Sequence, residues 1–278
     1  MNYVNLDGCI MDRAQLKAEC SLHNHSIDNG IFETILVKNA LIRLAFYHWQ
    51  RLFDGLKKLN IDTTIINGAF LEQEVLKVVL ANKAETLCRV RLKLFYKQDY
   101  ATKSNKAHFL IECFPILEEV LLWQNRGWIC GLSNDFIKVA DPLSHLKKSN
   151  RELYNPLQFK MAKEDWDDVF FYNQHGRIVE TSIANLWWIK LDTIYTPPLS
   201  EGFVNGVMRR FIKDVLSKEG IIINEVPLTI DLLLDADEVF LSNALRSIVP
   251  IHNIKGRKYT SVKTFELFQL IQNALCAT

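Results

Sequence analysis

Residues 168–190, DVFFYNQHGRIVETSIANLWWIK, decide the fold. Asp168 to Tyr172 is a short apolar run, Gln174-His175-Gly176 is a turn, and Ile178 to Thr181 and Leu186 to Lys190 are two further runs. Short β-branched and aromatic runs set apart by glycine and polar turns predict successive strands. Downstream, Pro197-Pro198 breaks the chain, and Asn205 to Lys218 then reads as a helix that stops near Gly220, with Asn205 suited to cap it. Glu238 to Ser242 predicts a short buried strand and Val262 to Leu275 a closing helix.

Upstream, Tyr47 to Asn60 sets Trp49, Leu52, Phe53, Leu56 and Leu59 on one helical face, and Ala69 to Asn82 predicts a second helix. Cys88, Val90, Leu92 and Leu94 alternate with Arg89, Arg91 and Lys93, the pattern of a half-buried strand with one wet face; Ala107 to Phe114 is another strand. Periodicity fails around Pro115 to Gln124, which places a domain boundary there and divides the chain into 1–117 and 118–278. Strands and helices mix without one-to-one alternation, so the expected class is α+β rather than a doubly wound sheet.

Composition narrows the function. The chain is 49% hydrophobic and 23% charged, and its 33 basic and 32 acidic residues leave a net charge of +1. No basic cluster interleaved with aromatics is present, so a nucleic-acid partner is not expected. Apolar runs such as Val120 to Trp123 are too short to span a bilayer, which argues against a membrane partner. Met1 to Gln15 lacks the apolar core of a signal peptide. Cys9, Cys20, Cys88, Cys113, Cys130 and Cys276 are scattered, with no close pair of zinc or redox type. Mostly buried thiols in a reducing, cytoplasmic setting, and no metal site, are the expectation.

A few residues could carry chemistry. Lys147 and Lys148 stand in SHLKKSN, residues 144–150. By themselves they read as a solvated basic loop, but a lysine desolvated in a cofactor pocket would have a lowered pKa and a nucleophilic amine. Glu180, after a strand and a glycine turn, is either a strand-end carboxylate in water or a buried one that needs a cation such as a pyridinium. Gly206 near the start of a predicted helix leaves backbone amides able to approach a phosphate, or marks a plain capped helix. Arg51, on the polar edge of its helix, suits a bidentate phosphate contact or the surface.

The order and spacing of these segments resemble the fold-type IV pyridoxal 5′-phosphate enzymes. The resemblance runs from Gly30-Ile31-Phe32-Glu33-Thr34 through His48-Trp49-Gln50-Arg51-Leu52, Leu146-Lys147 and Val179-Glu180. It continues through Ala184-Asn185-Leu186-Trp187-Trp188, Tyr195-Thr196-Pro197-Pro198 and Asn205-Gly206-Val207-Met208-Arg209 to Ala236-Asp237-Glu238-Val239-Phe240. That family includes branched-chain and D-amino-acid aminotransferases and aminodeoxychorismate lyases. It implies a smaller N-terminal α/β domain, a larger C-terminal cofactor-binding domain, pyridoxal 5′-phosphate between them, and a homodimer acting on a small amino compound. By resemblance, Lys147 is the Schiff-base lysine, with Asn150 three positions on as in the lyase and D-amino-acid branches. Glu180 is the partner of the pyridine nitrogen, and Val204 the aliphatic residue against the ring. Arg51, Gly206 and the backbone of Val207 and Met208 form the phosphate cup, with Asn243 and Ala244 beside it.

Within the family an aminotransferase goes on to accept a keto acid, whereas the lyase expels pyruvate from 4-amino-4-deoxychorismate and leaves 4-aminobenzoate for folate biosynthesis. The segments 184–188, 204–209 and 242–245 resemble the lyase more closely, which makes the lyase the first expectation and the aminotransferase the alternative. A non-catalytic dimeric binding scaffold is the alternative of another class, and Lys147 with Glu180 argue against it. One departure concerns the substrate's carboxylate. The Arg-Gly turn common after this strand is replaced by Tyr96-Lys97-Gln98-Asp99-Tyr100, leaving Lys97, His23 and His25 as candidate anchors.

Overall fold

The computed structural model describes residues 1–20, 30–64, 66–98, 105–148 and 155–277. Its contacts divide the chain into two compact units, Met1–Val120 with Leu146–Asn150, and Leu121–His145 with Arg151–Thr278. His23, His25, Asn150 and the 99–100 pair lie outside the described residues, as does the side chain of Lys97.

The first unit holds strands β1 (Tyr3–Leu6) and β2 (Cys9–Asp12), helix α1 (Arg13–Cys20), and strands β3 (Gly30–Lys38) and β4 (Leu41–Ile42). Helices α2 (Ala45–Lys58) and α3 (Gly68–Ala81) follow, then β5 (Leu87–Gln98) and β6 (Asn105–Phe114). The strands form one sheet in the order β2-β1-β6-β5-β3-β4, with every pairing antiparallel. The alternation along β5 appears as expected: Cys88, Val90, Leu92 and Leu94 are fully buried, while Arg89, Arg91 and Lys93 on the opposite face are half-buried. Helix α2 turns Leu52 and Leu56 into the core, and α3 adds Leu71, Val75, Val78 and Val79.

In the second unit come β7 (Trp128–Lys138), α4 (Asn155–Lys163), β8 (Asp168–Asn173), β9 (Ile178–Thr181), β10 (Asn185–Lys190) and β11 (Thr193–Thr196). These are followed by α5 (Val207–Lys218), β12 (Ile223–Glu225), α6 (Ile230–Asp235), β13 (Glu238–Asn243), β14 (Ser247–Ile254), β15 (Arg257–Lys258) and α7 (Val262–Cys276). The main path is β12-β11-β10-β13-β14-β7-β8-β9, and an added pairing of Asn185 with Glu180 joins β9 back to β10. That contact closes a ring of β10, β13, β14, β7, β8 and β9, which covers part of the open edge of β9 and brings the ends of distant strands together. Trp187, Phe170, Phe240 and Leu241 are all fully buried in this unit.

The mixed strand and helix content is the α+β class expected. Sequence periodicity placed most elements within a residue or two, but α5 starts at Val207 with Gly206 in the cap position, so Asn205 does not cap it. Of the described cysteines, Cys88, Cys113 and Cys130 are buried free thiols, while Cys9 and Cys276 are exposed. Among the described residues no helix is long and apolar enough to cross a membrane.

Helix α7 shows tertiary structure replacing a local signal. Its cap residue Ser261 makes no side-chain cap bond. Instead Glu238, at the start of β13, accepts from the backbone N–H of Lys263 at 3.0 Å and of Thr264 at 2.8 Å, and from the Thr264 hydroxyl at 2.7 Å. A carboxylate there satisfies orphan amides and complements the helix dipole. Glu238→Ala is expected to lower unfolding free energy by about 2 kcal/mol, as for a lost charged cap, and urea denaturation followed by circular dichroism measures it.

Candidate active site

Lys147 is held against the sheet of the first unit. Its carbonyl accepts from the Phe32 N–H at 2.9 Å, and Lys148 forms an isolated antiparallel bridge with Ile31. Leu146 is buried because α2 carries Gly55 at the crossing: a Cβ there would come within 2.9 Å of Ile31 Cδ1 and 3.3 Å of Leu146 Cδ2. The Lys147 Nζ then lies 4.6 Å from the centre of the Phe32 ring, and Arg91 Cζ lies 4.9 Å from the same centre. Lys148 is exposed.

Arg51 is not on the surface. Its side chain is 10% exposed, and its guanidinium grips Glu33 through Nε to Oε1 at 2.7 Å and Nη2 to Oε2 at 2.5 Å. His48 Nδ1 lies 2.6 Å from the same Oε2, and His48 Nε2 is buried with no hydrogen-bond partner among the described residues. Burial acts to raise the Glu33 pKa, but Arg51 and then His48 overcome it and hold the carboxyl down at about 2. Burial pushes the His48 pKa down, with Glu33 opposing and the Arg51 and Lys147 charges adding to the fall. Glu33 is a functional residue that the motif alone gives no role. A carboxylate inside the apolar strand GIFETILVK, residues 30–38, was the available signal, since such a group must find a cation.

In the second unit Glu180 sits on β9 and is 5% exposed. Its Oε1 pairs with Lys138 Nζ at 2.6 Å, and its Oε2 accepts from the Val204 N–H at 3.1 Å. The Val204 carbonyl in turn accepts from Asn185 Nδ2 at 2.8 Å, so the loop before α5 is fastened to β9 and β10 together. His145 Nδ1 lies 3.1 Å from the Phe203 carbonyl, and the Asn205 N–H donates to the His145 carbonyl at 3.3 Å. At Gly206 there is no room for a side chain: a Cβ would sit 1.8 Å from Asn185 Oδ1. The first turn of α5 carries no side-chain cap, and Val207 and Met208 are buried. Arg209, fully buried over the Phe203 ring, donates to the Pro197 carbonyl at 3.0 Å and to Glu225 at 2.5 Å, tying the Pro197-Pro198 turn to the helix.

Asn243 ends β13, where its Oδ1 accepts from the N–H groups of Leu245 and Arg246 at 3.0 and 2.9 Å. This turn places Ala244 two residues beyond the Asn185–Ser242 pairing. The structure thus groups Glu180, Val204, Gly206, Val207 and Met208 about one loop, with Asn243 and Ala244 at the neighbouring strand end. Arg51 and Lys147 belong to the first unit.

Comparison with known proteins fits this architecture. A crystal structure of the branched-chain amino acid aminotransferase from Thermobaculum terrenum in its pyridoxal-phosphate form superposes with a TM-score of 0.84 over 99% of this chain and 94% of that one, at 15% identity. At that identity the likeness is one of fold, the fold type IV of pyridoxal-phosphate enzymes. Residues 30–254 match the class IV amino-transferase family, and the chain belongs to that family of enzymes. Aminodeoxychorismate lyase of Vibrio harveyi is 31% identical over 146 residues, 52% of this chain and 54% of that protein. D-alanine aminotransferase of Bacillus licheniformis is 25% identical over 279 residues, 98% and 95% of the two chains.

The family uses pyridoxal phosphate, and the residues present suit that group. An uncapped helix start with a glycine too crowded for any Cβ suits a phosphate. A buried, paired carboxylate suits a pyridinium nitrogen.

Glu33 gives a test that needs no cofactor. Its carboxyl titrates at about 2 when folded against 4.5 otherwise, so it stabilises the native state above pH 4.5, and that stability is lost as pH falls from 4.5 through 2. Glu33→Gln leaves buried Arg51 unbalanced and is expected to cost roughly 3 kcal/mol or more near pH 7. The loss shrinks on acidification below pH 4.5, which unfolding midpoints across pH 3 to 7 measure.

Proposed function

We propose that the protein is a pyridoxal-phosphate-dependent lyase that converts 4-amino-4-deoxychorismate to 4-aminobenzoate and pyruvate. The observation that supports this reading is the wet face of β5. Arg89, Arg91 and Lys93 lie along it, and Arg91 shares the Phe32 ring with the Lys147 amine. Arg89 stacks on Phe114 at 4.5 Å, where Arg13 also stacks at 5.0 Å. Cations and aromatic rings on one face suit a flat ring that carries two carboxylates. A branched-chain amino acid offers one carboxylate and an aliphatic side chain, which this face matches less well. Arg91 therefore takes the anchoring role for which the sequence offered Lys97, His23 and His25.

The bound cofactor would supply an electron sink for the pair of electrons left when the Cα proton departs. The remaining work falls to the chain. The Lys147 Nζ would hold the cofactor and, once displaced by the substrate's amine, would move the Cα proton as base and then acid. Glu180 would partner the pyridine nitrogen, Val204 would support the ring, and Arg51, Gly206, Val207, Met208, Asn243 and Ala244 would hold the phosphate. The likeness over 98% of the chain to a D-alanine aminotransferase favours a second reading, transamination.

Pyruvate release separates the two. With aminodeoxychorismate as sole substrate and no keto acid, lactate-dehydrogenase-coupled turnover is expected; turnover only on adding a keto acid would establish the aminotransferase. Arg91→Met should lower kcat/KM by about 10- to 100-fold through KM, the worth of one charged hydrogen bond. Lys147→Ala should slow turnover at least ~100-fold and remove the borohydride-fixed pyridoxyl adduct, located by peptide mass spectrometry. Lys148→Ala should keep both.

A further inference from the structure

We propose that Lys138 is a positioning residue that keeps the Glu180 carboxylate ionised and turned for the pyridine nitrogen. The inference rests on the reading of Glu180 given above and adds a residue that no sequence motif singled out. Lys138 ends β7 and pairs in register with Asn173 of β8, while Phe171 of β8 pairs with Glu180 of β9. The Lys138 side chain is 12% exposed and that of Glu180 6%, and the two charges are 2.6 Å apart. The second carboxylate oxygen is fixed by the Val204 N–H at 3.1 Å. Glu180 is therefore held from two sides by strand β7 and the loop before α5, with no ring needed to set its position. A carboxylate has about four lone-pair positions, so two contacts leave room for one more donor.

Lys138 also decides where a shared proton rests. A ring nitrogen and a buried carboxylate can share one proton as an ion pair or as a neutral pair, and burial favours the neutral pair. An ammonium in contact with the far oxygen stabilises the ionised carboxylate strongly. It repels the more distant ring cation more weakly, because the interaction falls with distance. With the cofactor bound, that balance would favour the proton on the ring nitrogen, which would make the ring a better electron acceptor. Lys138 need not touch the cofactor to do this.

The test reads the ring rather than turnover. Holoenzyme reconstituted with 15N-pyridoxal phosphate is examined by nitrogen NMR as wild type, Lys138→Met, Lys138→Arg and Glu180→Gln. Lys138→Met is expected to bind the cofactor about tenfold more weakly, the scale of one charged contact, and to move the nitrogen signal from the pyridinium towards the neutral-pyridine position. Lys138→Arg should restore the wild-type signal. If Lys138→Met fails to fold by circular dichroism, Lys138→Gln, which keeps a donor without the charge, gives the same readout. A pyridinium signal in the uncharged variant while Glu180→Gln shifts it would overturn the role of Lys138 and leave that of Glu180 standing. A signal unmoved by Glu180→Gln would overturn both.

Discussion

Glu180 leaves water on a short strand whose four residues are all buried, and Lys138 meets it from a strand far away in sequence. A buried carboxylate without a cation costs more than most single contacts contribute, so the ring of strands that brings β7, β8 and β9 together is coupled to this pair. The first unit meets the same condition in its own way. Glu33 faces inward from β3 and draws Arg51 and His48 from successive turns of α2. In each unit one acid sets where several other groups can go. Arg51 is aimed because Glu33 holds two of its nitrogens, and Val204 is aimed because Glu180 holds its amide.

These anchors also explain why glycine occupies Gly55 and Gly206. At the first, α2 must lie close enough to β3 for Leu146 to bury, which seats Lys147 over the Phe32 ring. At the second, Asn185 Oδ1 occupies the volume that a side chain would need, and the same Asn185 fastens the Val204 carbonyl. The helix start is consequently a backbone surface with no side chain of its own in the cap position. Local capping is given up there, and the buried Arg209 network holds the helix in place instead.

How much of this could be read from sequence depended on the range of each interaction. The amphipathic face of α2 and the alternation along β5 are local patterns with periods of 3.6 and 2, and both appear in the structure where expected. The class IV motifs placed Lys147, Arg51 and Glu180 in order because they are short and carry unusual residues. Pairings across long separations were not legible. Nothing in the stretch from Lys138 to Glu180 announces that the two meet, and Glu33 stood in a quoted motif without its partner being named. Asn205 looked like a cap because polar residues usually serve there, but the crowding of Asn185 against position 206 is a tertiary fact.

The basic face of β5 is a local pattern whose proposed use is not itself local. In sequence Arg89, Arg91 and Lys93 read as the wet side of a strand, and a wet side ordinarily faces solvent. The turn motif that would mark an anchor after this strand is absent from the chain. What changes the meaning of the row is Phe32, whose ring touches both Arg91 and the amine of Lys147. Once a basic row shares an aromatic surface with a nucleophile, its charge is available to whatever that nucleophile binds. If Lys147 and Glu180 carry the chemistry shared by the family, as proposed, the difference between expelling pyruvate and accepting a keto acid falls to groups that hold the rest of the substrate. On the proposed reading those groups are arginines and a lysine on a strand rather than residues of a turn, and a strand presents its charges at a fixed spacing of about 7 Å along one face. Such a spacing selects for the separation of two carboxylates as well as for their charge, which is a discrimination that a single anchoring arginine could not make.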